Sequence, residues 1–431
     1  MQSAPPRNNQ LISLLLIGLL FSIFGFVTWL NGTLIKFLQT ACELNHQQAS
    51  LVTFAFFISY FVMAIPSSGI LQRTGFKRGM SLGLLIMAIG CLIFLPAAWQ
   101  RNYTLFLTGL FTQGLGLAIL QTASNPYVTI IGPIESAAKR ISLMGICNKL
   151  AGALGALLLA RLLLAPLDEL QGDIAVATDV ALRNNLLHSL TQKIVLPYSV
   201  MAGFLALVAA GIWRSPLPDL KDDNTDTGVQ DVPARPLSSY TYLFLGALAI
   251  FAYVGVEVIA GDYIIQYGTY LGNETGDENL KQFANYLTSV TLFFMLAGYG
   301  LGVLLIPKVI SQEQALRINV ICSLILTVII LTTTGKTSVF SLALLGFFHA
   351  IMWPAIWPMS IKGLGRHTKT GSALLVMAIA GGAVIPWFLG MLTDAYGGDI
   401  QKALWVMIPC YLYILFFAVR GYRVGELRIE S

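Results

Sequence analysis

Twelve long apolar stretches follow one another along the 431-residue sequence. They begin near Leu11, Gln48, Met80, Tyr103, Lys139, Ile194, Tyr240, Gln282, Glu313, Ser338, Thr368 and Ile400. A helix needs about 20 apolar residues to cross a hydrocarbon layer of about 30 Å. Charged residues make up only 11% of the chain, against about 25% in soluble proteins. The sequence therefore predicts an all-α membrane protein with twelve transmembrane helices in a lipid bilayer, and it excludes a water-soluble globule.

The basic residues predict how the chain is oriented. If the amino terminus is inside, 17 of the 26 Lys and Arg residues fall in inner segments, 8 fall in outer segments, Lys36 among them, and Lys149 lies within a span. This bias follows the positive-inside rule. We therefore expect a multi-pass protein of the inner (plasma) membrane with both termini in the cytoplasm.

The segment from 214 to 239 has a different composition, with four prolines and five aspartates. Such a segment is typical of a hydrated linker. The predicted organisation is a cytoplasmic tail at 1–10, a six-helix bundle at 11–213, a cytoplasmic linker at 214–239, a second six-helix bundle at 240–420 and a tail at 421–431.

The two halves also resemble each other in sequence. One set of equivalent residues lies 230 positions apart: Lys139 and Lys369, Ser142 and Ser372, Gly152 and Gly382, and Ala153 and Ala383. A second set lies 228 positions apart: Pro126 and Pro354, and Gln121 and His349. Gly- or Pro-interrupted spans at matching positions of two halves are a feature of transporters that bind their substrate near the midplane. We expect two pseudo-symmetric bundles around a central cavity.

Few ionisable residues remain at membrane depth once the loops are assigned: Lys149 in the fifth span, Glu257 and Asp262 in the seventh, and His349 in the tenth. A buried charge costs about 2.5–3.5 kcal/mol even on the lenient insertion scale, so it usually has a partner or a function. We predict that Lys149 and Glu257 form an ion pair between the bundles, directly or through water, and that binding of substrate and of a proton or cation rearranges this pair. Asp262 is the third candidate for this coupling group, at a depth from which it can also reach outer water.

Polar and aromatic residues within the spans predict a ligand with many hydroxyl groups. The candidate substrate-binding residues are Asn31, Gln121, Asn125, Asn148, Asn285, His349 and Trp353. Amides offer several hydrogen bonds without a counter-charge, and a tryptophan ring offers an apolar face with one N–H donor. The alternative for the amides is helix–helix hydrogen bonding. His349 is either a proton site or a hydrogen-bonding residue, and for Trp357, on the same helical stripe, packing is the favoured interpretation.

No enzyme motif is found. The sequence has no phosphate-binding lysine loop, no HExxH and no serine elbow, and the five cysteines form no CxxC pair. We therefore expect no catalytic residues, no metal site and no cofactor other than H⁺ or Na⁺ as a coupling ion. We also expect a monomer without a nucleic-acid partner.

Several motifs resemble the fucose permease branch of the major facilitator superfamily, which includes glucose/galactose and N-acetylglucosamine transporters. They are Gln121 to Pro126 (QTASNP), Trp353-Pro354, Ile361 to Gly365 (IKGLG), Gly381-Gly382 and Thr393-Asp394. The superfamily's loop motif is degraded between Gly69 and Arg78, with Gln72 in place of an acid. The resemblance implies alternating access between two bundles with a sugar at the midplane.

Two positions depart from the fucose permease pattern. That pattern has an aspartate where this chain has Gly32 and a glutamate where it has Gln121. Both acids are proton-linked in that relative. We infer that coupling has moved to the fifth and seventh spans, or has been lost.

The main functional hypothesis is a secondary active importer of a neutral hexose or N-acetylhexosamine, coupled to H⁺ or Na⁺. The alternatives are a passive sugar facilitator, in which the pair is only a gate, and a sugar receptor that does not transport. A multidrug antiporter is disfavoured by the amides in the central spans.

Overall fold

The computed structural model describes residues 7–130, 137–177, 179–215, 236–306, 309–364 and 367–425. Side chains are described within these ranges except at 7–14, 125–130, 137–142, 171, 175–176 and 368–369. Eleven helices among the described residues are long and apolar enough to cross a membrane. The longest, His46–Gln100, has 55 residues, which corresponds to about 80 Å of helix and more than two membrane thicknesses.

Gly75 divides this long helix into two crossings. Its φ is 75° and its ψ is 169°, values that are far from helical and that glycine adopts at low cost because it lacks a Cβ atom. The described residues therefore contain the twelve spans predicted from hydropathy, and the all-α fold is confirmed.

The spans are numbered in chain order. They are Arg7–Thr28 with Asn31–Ala41 (span 1), His46–Gln100 before and after Gly75 (spans 2 and 3), Tyr103–Ile130 (span 4), Ala137–Leu159 (span 5), Val195–Arg214 (span 6), Thr241–Asp262 (span 7), Leu287–Leu305 (span 8), Gln312–Thr332 (span 9), Gly335–Ile361 (span 10), Thr368–Met377 with Gly381–Ala395 (span 11), and Ile400–Ala403 with Met407–Val419 (span 12).

Further helices lie at one end of the spans. Span 5 continues through the π-helical turn Ala160–Leu164 into Ala165–Val176, and Val180–Gln192 follows. Span 7 continues beyond Tyr263 as Ile264–Thr275, and Glu278–Ala284 precedes span 8. Residues 216–235 of the predicted linker, and residues 1–6 and 426–431 of the predicted tails, lie outside the described residues.

We call the end that carries Glu43, Arg101 and Asp277 the outer face, following the orientation predicted from the basic residues. The opposite end is the inner face. Spans 1–6 form the N-terminal bundle and spans 7–12 form the C-terminal bundle.

Asp394, at the end of span 11, ties the two bundles together at the outer face. Its Oδ1 accepts a hydrogen bond from the backbone N–H of His46 (3.1 Å), and its Oδ2 accepts one from that of Gln47 (2.8 Å). These N–H groups belong to the first turn of span 2 and have no partner within the helix. A negative charge is also favourable at a helix N-terminus. The carboxylate of one bundle therefore satisfies the helix terminus of the other.

Two more hydrogen bonds join the bundles on this side. The Gln266 amide donates to Oε1 of Gln39 (2.7 Å), and the hydroxyl groups of Thr53 and Tyr263 lie 3.1 Å apart. Together with Asp394, these contacts close the outer face.

Replacing Asp394 by Asn should weaken this closure. A hydrogen bond to a charged group contributes about 1.5–3 kcal/mol, so loss of the charge should raise the ratio of outward-open to closed molecules roughly tenfold, equivalent to about 1.4 kcal/mol. Spin labels at the exposed outer positions Leu182 and Asn279, in a background without the five native cysteines, would report the change as a longer distance by pulsed EPR.

Asp399→Asn is the matched control. Asp399 also caps a helix near the outer face, but its Oδ1 accepts from Lys402 within its own bundle (2.9 Å). This variant should keep the wild-type distance. An equal shift in both variants would contradict a role for Asp394 in joining the bundles.

Candidate functional site

Lys149 and Glu257 form a direct ion pair between the two bundles. Nζ of Lys149 lies 3.0 Å from Oε1 of Glu257, and the two side chains are 9% and 12% exposed. Lys149 comes from span 5 and Glu257 from span 7, so the pair crosses the boundary between the bundles. The contact predicted from the scarcity of intramembrane charges is present in the structure.

Trp29 is a further member of this site that sequence reasoning missed. The centre of its ring lies 4.2 Å from Nζ of Lys149, a distance at which a cation is attracted to the face of an aromatic ring. The ring packs against Gly152 on span 5, where a Cβ atom would lie 2.5 Å from Cδ1 of the indole. The available signal was Gly152 itself, a small residue one turn after Lys149 that leaves room for a large neighbour.

On the other side of the pair, the aromatic residues of spans 7 and 10 form an array. Tyr253 lies one turn before Glu257, and its ring centre is 6.3 Å from that of Trp353. Trp353 in turn stacks on Trp357 at 5.2 Å. Both tryptophans are partly exposed. The charge pair is therefore flanked by Trp29 in one bundle and by Tyr253 and Trp353 in the other.

His349 is fully buried within the C-terminal bundle. Its Nε2 lies 2.7 Å from the hydroxyl of Tyr411 in span 12, and its ring contacts that of Tyr253. Its Nδ1 has no hydrogen-bond partner among the described residues. The structure therefore shows a hydrogen bond at His349, and both of its predicted roles stay predictions.

The amide candidates of the N-terminal bundle make different contacts. Gln121 is partly exposed and donates to the hydroxyl of Tyr60 (3.1 Å). Asn148 donates to the carbonyl of Phe21 (3.3 Å), which is a helix–helix hydrogen bond. Asn31 is buried, and its side-chain nitrogen has no partner in the described part of the chain. The side chain of Asn125 lies outside the described residues.

Asn285 lies at the outer face rather than among the central residues, in a network with two charged residues. Nζ of Lys36 donates to Oδ1 of Asn285 (2.8 Å), and the Asn285 amide donates to Oδ2 of Asp168 (2.6 Å). Lys36 also lies 3.4 Å from Oδ1 of Asp168. Because Lys36 and Asp168 belong to the N-terminal bundle and Asn285 to the C-terminal bundle, this network is part of the outer closure.

Lys36 corrects the sequence prediction that few ionisable residues are buried. It was assigned to an outer segment, yet it is only 6% exposed. The reason is that span 1 remains helical to Ala41, so Lys36 still lies between helices. The apolar residues on both sides of it, from Gly32 to Leu38, were the signal.

The expectation that Asp262 can also reach outer water was wrong. Asp262 is 1% exposed, because span 7 continues into Ile264–Thr275 and covers it. Its Oδ1 accepts a hydrogen bond from the backbone N–H of Gly32 in span 1 (3.2 Å). The spans meet closely at this point: a Cβ atom on Gly32 would lie 2.9 Å from the Cα and the carbonyl oxygen of Asp262 and from Oγ1 of Thr288.

A separate cavity of about 410 Å³ opens at the inner face of the C-terminal bundle. It is lined by polar and charged side chains, among them Glu313, Arg317 and Arg423. Since it lies within one bundle and away from Lys149, it is not the predicted site between the bundles.

Replacing Gly32 by Ala should prevent spans 1 and 7 from closing. The added methyl group would meet backbone atoms, which cannot move aside as a side chain can, and overpacking of this kind costs about 1–3 kcal/mol. We expect the EPR distance between labels at Leu182 and Asn279 to lengthen. Gly203→Ala, at a position in span 6 with no atom within 4 Å of the added Cβ, should leave the distance unchanged; coincident distributions for the two variants would rule out the close contact.

Comparison with known proteins identifies the family. The sequence profile of the Major Facilitator Superfamily matches residues 16–386. The chain is 34% identical to a glucose/galactose transporter of Brucella abortus over 415 residues, which cover 96% of this chain and 95% of that protein. It is 30% identical to the L-fucose-proton symporter of Escherichia coli over 420 residues, which cover 97% and 94%.

Solved structures agree with this assignment. The fold matches that of the Major Facilitator Superfamily transporter FucP in its outward conformation with a TM-score of 0.71 at 29% identity, covering 95% of this chain and 98% of FucP. A D-xylose-proton symporter shares the fold with a TM-score of 0.68 at 15% identity, covering 96% of this chain and 99% of that one. The chain described here therefore belongs to the Major Facilitator Superfamily.

Proposed function

We propose that the protein is a secondary active importer that moves a neutral hexose or N-acetylhexosamine together with a proton. The observation that carries the proposal is the buried ion pair between Lys149 and Glu257, which joins the two bundles at a point flanked by aromatic side chains. A transporter that alternates between two states must make and break contacts at this boundary, and a charged contact here is sensitive to both a ligand and a proton.

The residues around the pair suit a sugar. Trp353, which is partly exposed, offers a flat apolar face with an indole N–H, and the Gln121 amide and Tyr60 hydroxyl form a polar group between span 4 and span 2. A charged substrate would need a fixed counter-charge, whereas Lys149 and Glu257 already neutralise each other. The relatives named as glucose/galactose and fucose transporters support the same substrate class.

The proposed role of the pair is to connect sugar binding to the closure of the bundles. Hydroxyl groups of a sugar that enters between Lys149 and Glu257 would replace each charge's partner, and protonation of Glu257 would remove the attraction altogether. A proton is favoured as the coupling ion because the relative at 30% identity is an L-fucose-proton symporter and the matched structures include a fucose-proton symporter at 28% identity. Asp262 makes no bond to this pair.

The membrane and orientation are part of the same proposal. The excess of basic residues in the segments at the inner face supports an inner or plasma membrane protein with both termini in the cytoplasm. The described spans support bundle boundaries near 11–213 and 240–420, with the linker at 214–239 on the cytoplasmic side.

Uptake by proteoliposomes tests the function directly. Labelled glucose, galactose, fucose and N-acetylglucosamine would be offered separately under an imposed H⁺ gradient and under an imposed Na⁺ gradient. We expect accumulation of at least one sugar above its outside concentration with the H⁺ gradient only. Equilibration without accumulation would make the protein a passive facilitator, accumulation driven by Na⁺ would reassign the ion, and saturable binding without uptake would make it a receptor.

Glu257→Gln should abolish accumulation and leave exchange of labelled for unlabelled sugar measurable, because coupling needs a group that gains and loses a proton whereas exchange does not. The variant leaves Lys149 without its counter-charge, and breaking a buried pair in this way destabilises a protein by about 3–5 kcal/mol. Its melting temperature should therefore fall as well.

The double variant K149Q/E257Q separates these two effects. With both charges removed, the melting temperature should recover, but accumulation should not. Glu278→Gln, an exposed outer residue, serves as a control for the loss of a carboxylate elsewhere. Undiminished accumulation in E257Q would remove Glu257 from the coupling mechanism.

A further inference from the structure

Asp262 is a buried carboxyl group that the ion pair does not use. It is 1% exposed, and its one hydrogen bond among the described residues is the contact of Oδ1 with the backbone N–H of Gly32. Its Oδ2 is buried and has no partner in the described part of the chain. The group therefore lies on the boundary between span 1 and span 7, with half of its hydrogen-bonding capacity unused.

The charged groups around Asp262 are all engaged elsewhere. Lys149 bonds to Glu257, and Lys36, further along span 1, bonds to Asn285 and Asp168. The hydroxyl of Tyr263, the next residue, pairs with Thr53. No cation within the described residues lies within ion-pair distance of the Asp262 carboxyl group.

An ionised carboxylate is costly in such a place. Moving an isolated charge into an apolar interior costs so much that the group usually takes up a proton and becomes neutral. One backbone N–H does not replace the water that a carboxylate loses. The closed boundary between spans 1 and 7 therefore accommodates a carboxylic acid and opposes a carboxylate.

We propose that Asp262 is the proton-binding site that controls closure of the outer face, an inference that rests on the proposed function for its role in coupling. When spans 1 and 7 separate, the carboxyl group meets outer water and ionises. The outer face then closes only after Asp262 has taken one proton from that water, so each closure carries a proton into the protein.

Glu257 is placed to receive that proton. It is the next carboxylate along span 7 in the direction of the inner face, five residues or about 7.5 Å away along the helix. Once a sugar has separated Glu257 from Lys149, transfer makes Glu257 a neutral acid, which then releases the proton to the inner side. The transfer also leaves at Asp262 the carboxylate that the closed boundary opposes, so it favours the return of the outer face to the open form for the next cycle. Lys149 and Glu257 thus respond to the sugar, while Asp262 responds to outer pH.

The first test is the conformation of the wild-type protein. The labels are again at Leu182 and Asn279. Raising the pH from about 6 to about 9 should raise the ratio of outward-open to closed molecules at least tenfold, because a higher pH favours the carboxylate. Asp262→Asn, which is neutral at every pH, should remain closed throughout. Asp277→Asn, at a partly exposed outer carboxylate paired with Lys336, should keep the wild-type response.

These outcomes are decisive without any transport measurement. A wild-type distance that does not depend on pH would overturn the proposal, even if the D262N variant failed to fold. A D262N protein that keeps the wild-type pH response would overturn it as well, because one of the other groups facing this boundary (Lys149, Glu257, Lys36, Asp168 or Tyr263) would then be responsible.

The second test is transport, and it distinguishes Asp262 from Glu257. D262N should lose proton-driven accumulation while sugar exchange becomes independent of pH. E257Q should also lose accumulation, but its exchange should still fall at alkaline pH, in proportion to the closed population. If the wild-type protein moves no sugar at all, the proposed function fails, whereas the pH response of the EPR distance still decides the role of Asp262.

Discussion

The ion pair between Lys149 and Glu257 restricts how the two bundles of the molecule can move apart. Each charge has left water to reach the middle of the protein, and each is stabilised there by the other, 3.0 Å away. A buried pair is a weak source of net stability, but loss of one partner is severe. Because the partners come from different bundles, the bundles cannot separate here unless a ligand, water or a proton replaces the lost contact. Separation of the two bundles at the Lys149–Glu257 pair therefore depends on what binds between them.

Much of the architecture and the central pair could be predicted from the sequence. The twelve crossings follow from hydropathy, since few other structures satisfy so many apolar stretches. Lys149 and Glu257 could be matched because very few opposite charges were candidates at that depth. The prediction failed at the outer face. Lys36 was assigned to an outer segment, Asp262 to a depth from which it could also reach outer water, and Asn285 to the substrate-binding residues, because hydropathy measures the apolar layer and not where a helix ends.

The helices that run past the apolar layer explain these errors. Span 1 reaches Ala41 and span 7 continues as Ile264–Thr275, so residues that a hydropathy plot places at the surface are enclosed by neighbouring helices. Trp29 was missed for a related reason: its partners lie on other spans, and a single sequence contains no direct information on which faces meet. Gln121 and His349 show the limit of the internal repeat, since one bonds to Tyr60 in span 2 and the other to Tyr411 in span 12. The repeat predicts their position but not their partner.

The contact of Asp394 with the start of span 2 has a consequence for the solvent. In the closed protein this carboxylate and two backbone N–H groups satisfy one another, and on opening all of them must be hydrated, as must the polar groups of Lys36, Asp168 and Asn285. Opening of the outer face is therefore accompanied by the uptake of water. Solutes that are excluded from protein surfaces and lower the activity of water, such as sucrose or trimethylamine oxide, should shift the conformational equilibrium towards the closed form even though they bind nowhere on the protein.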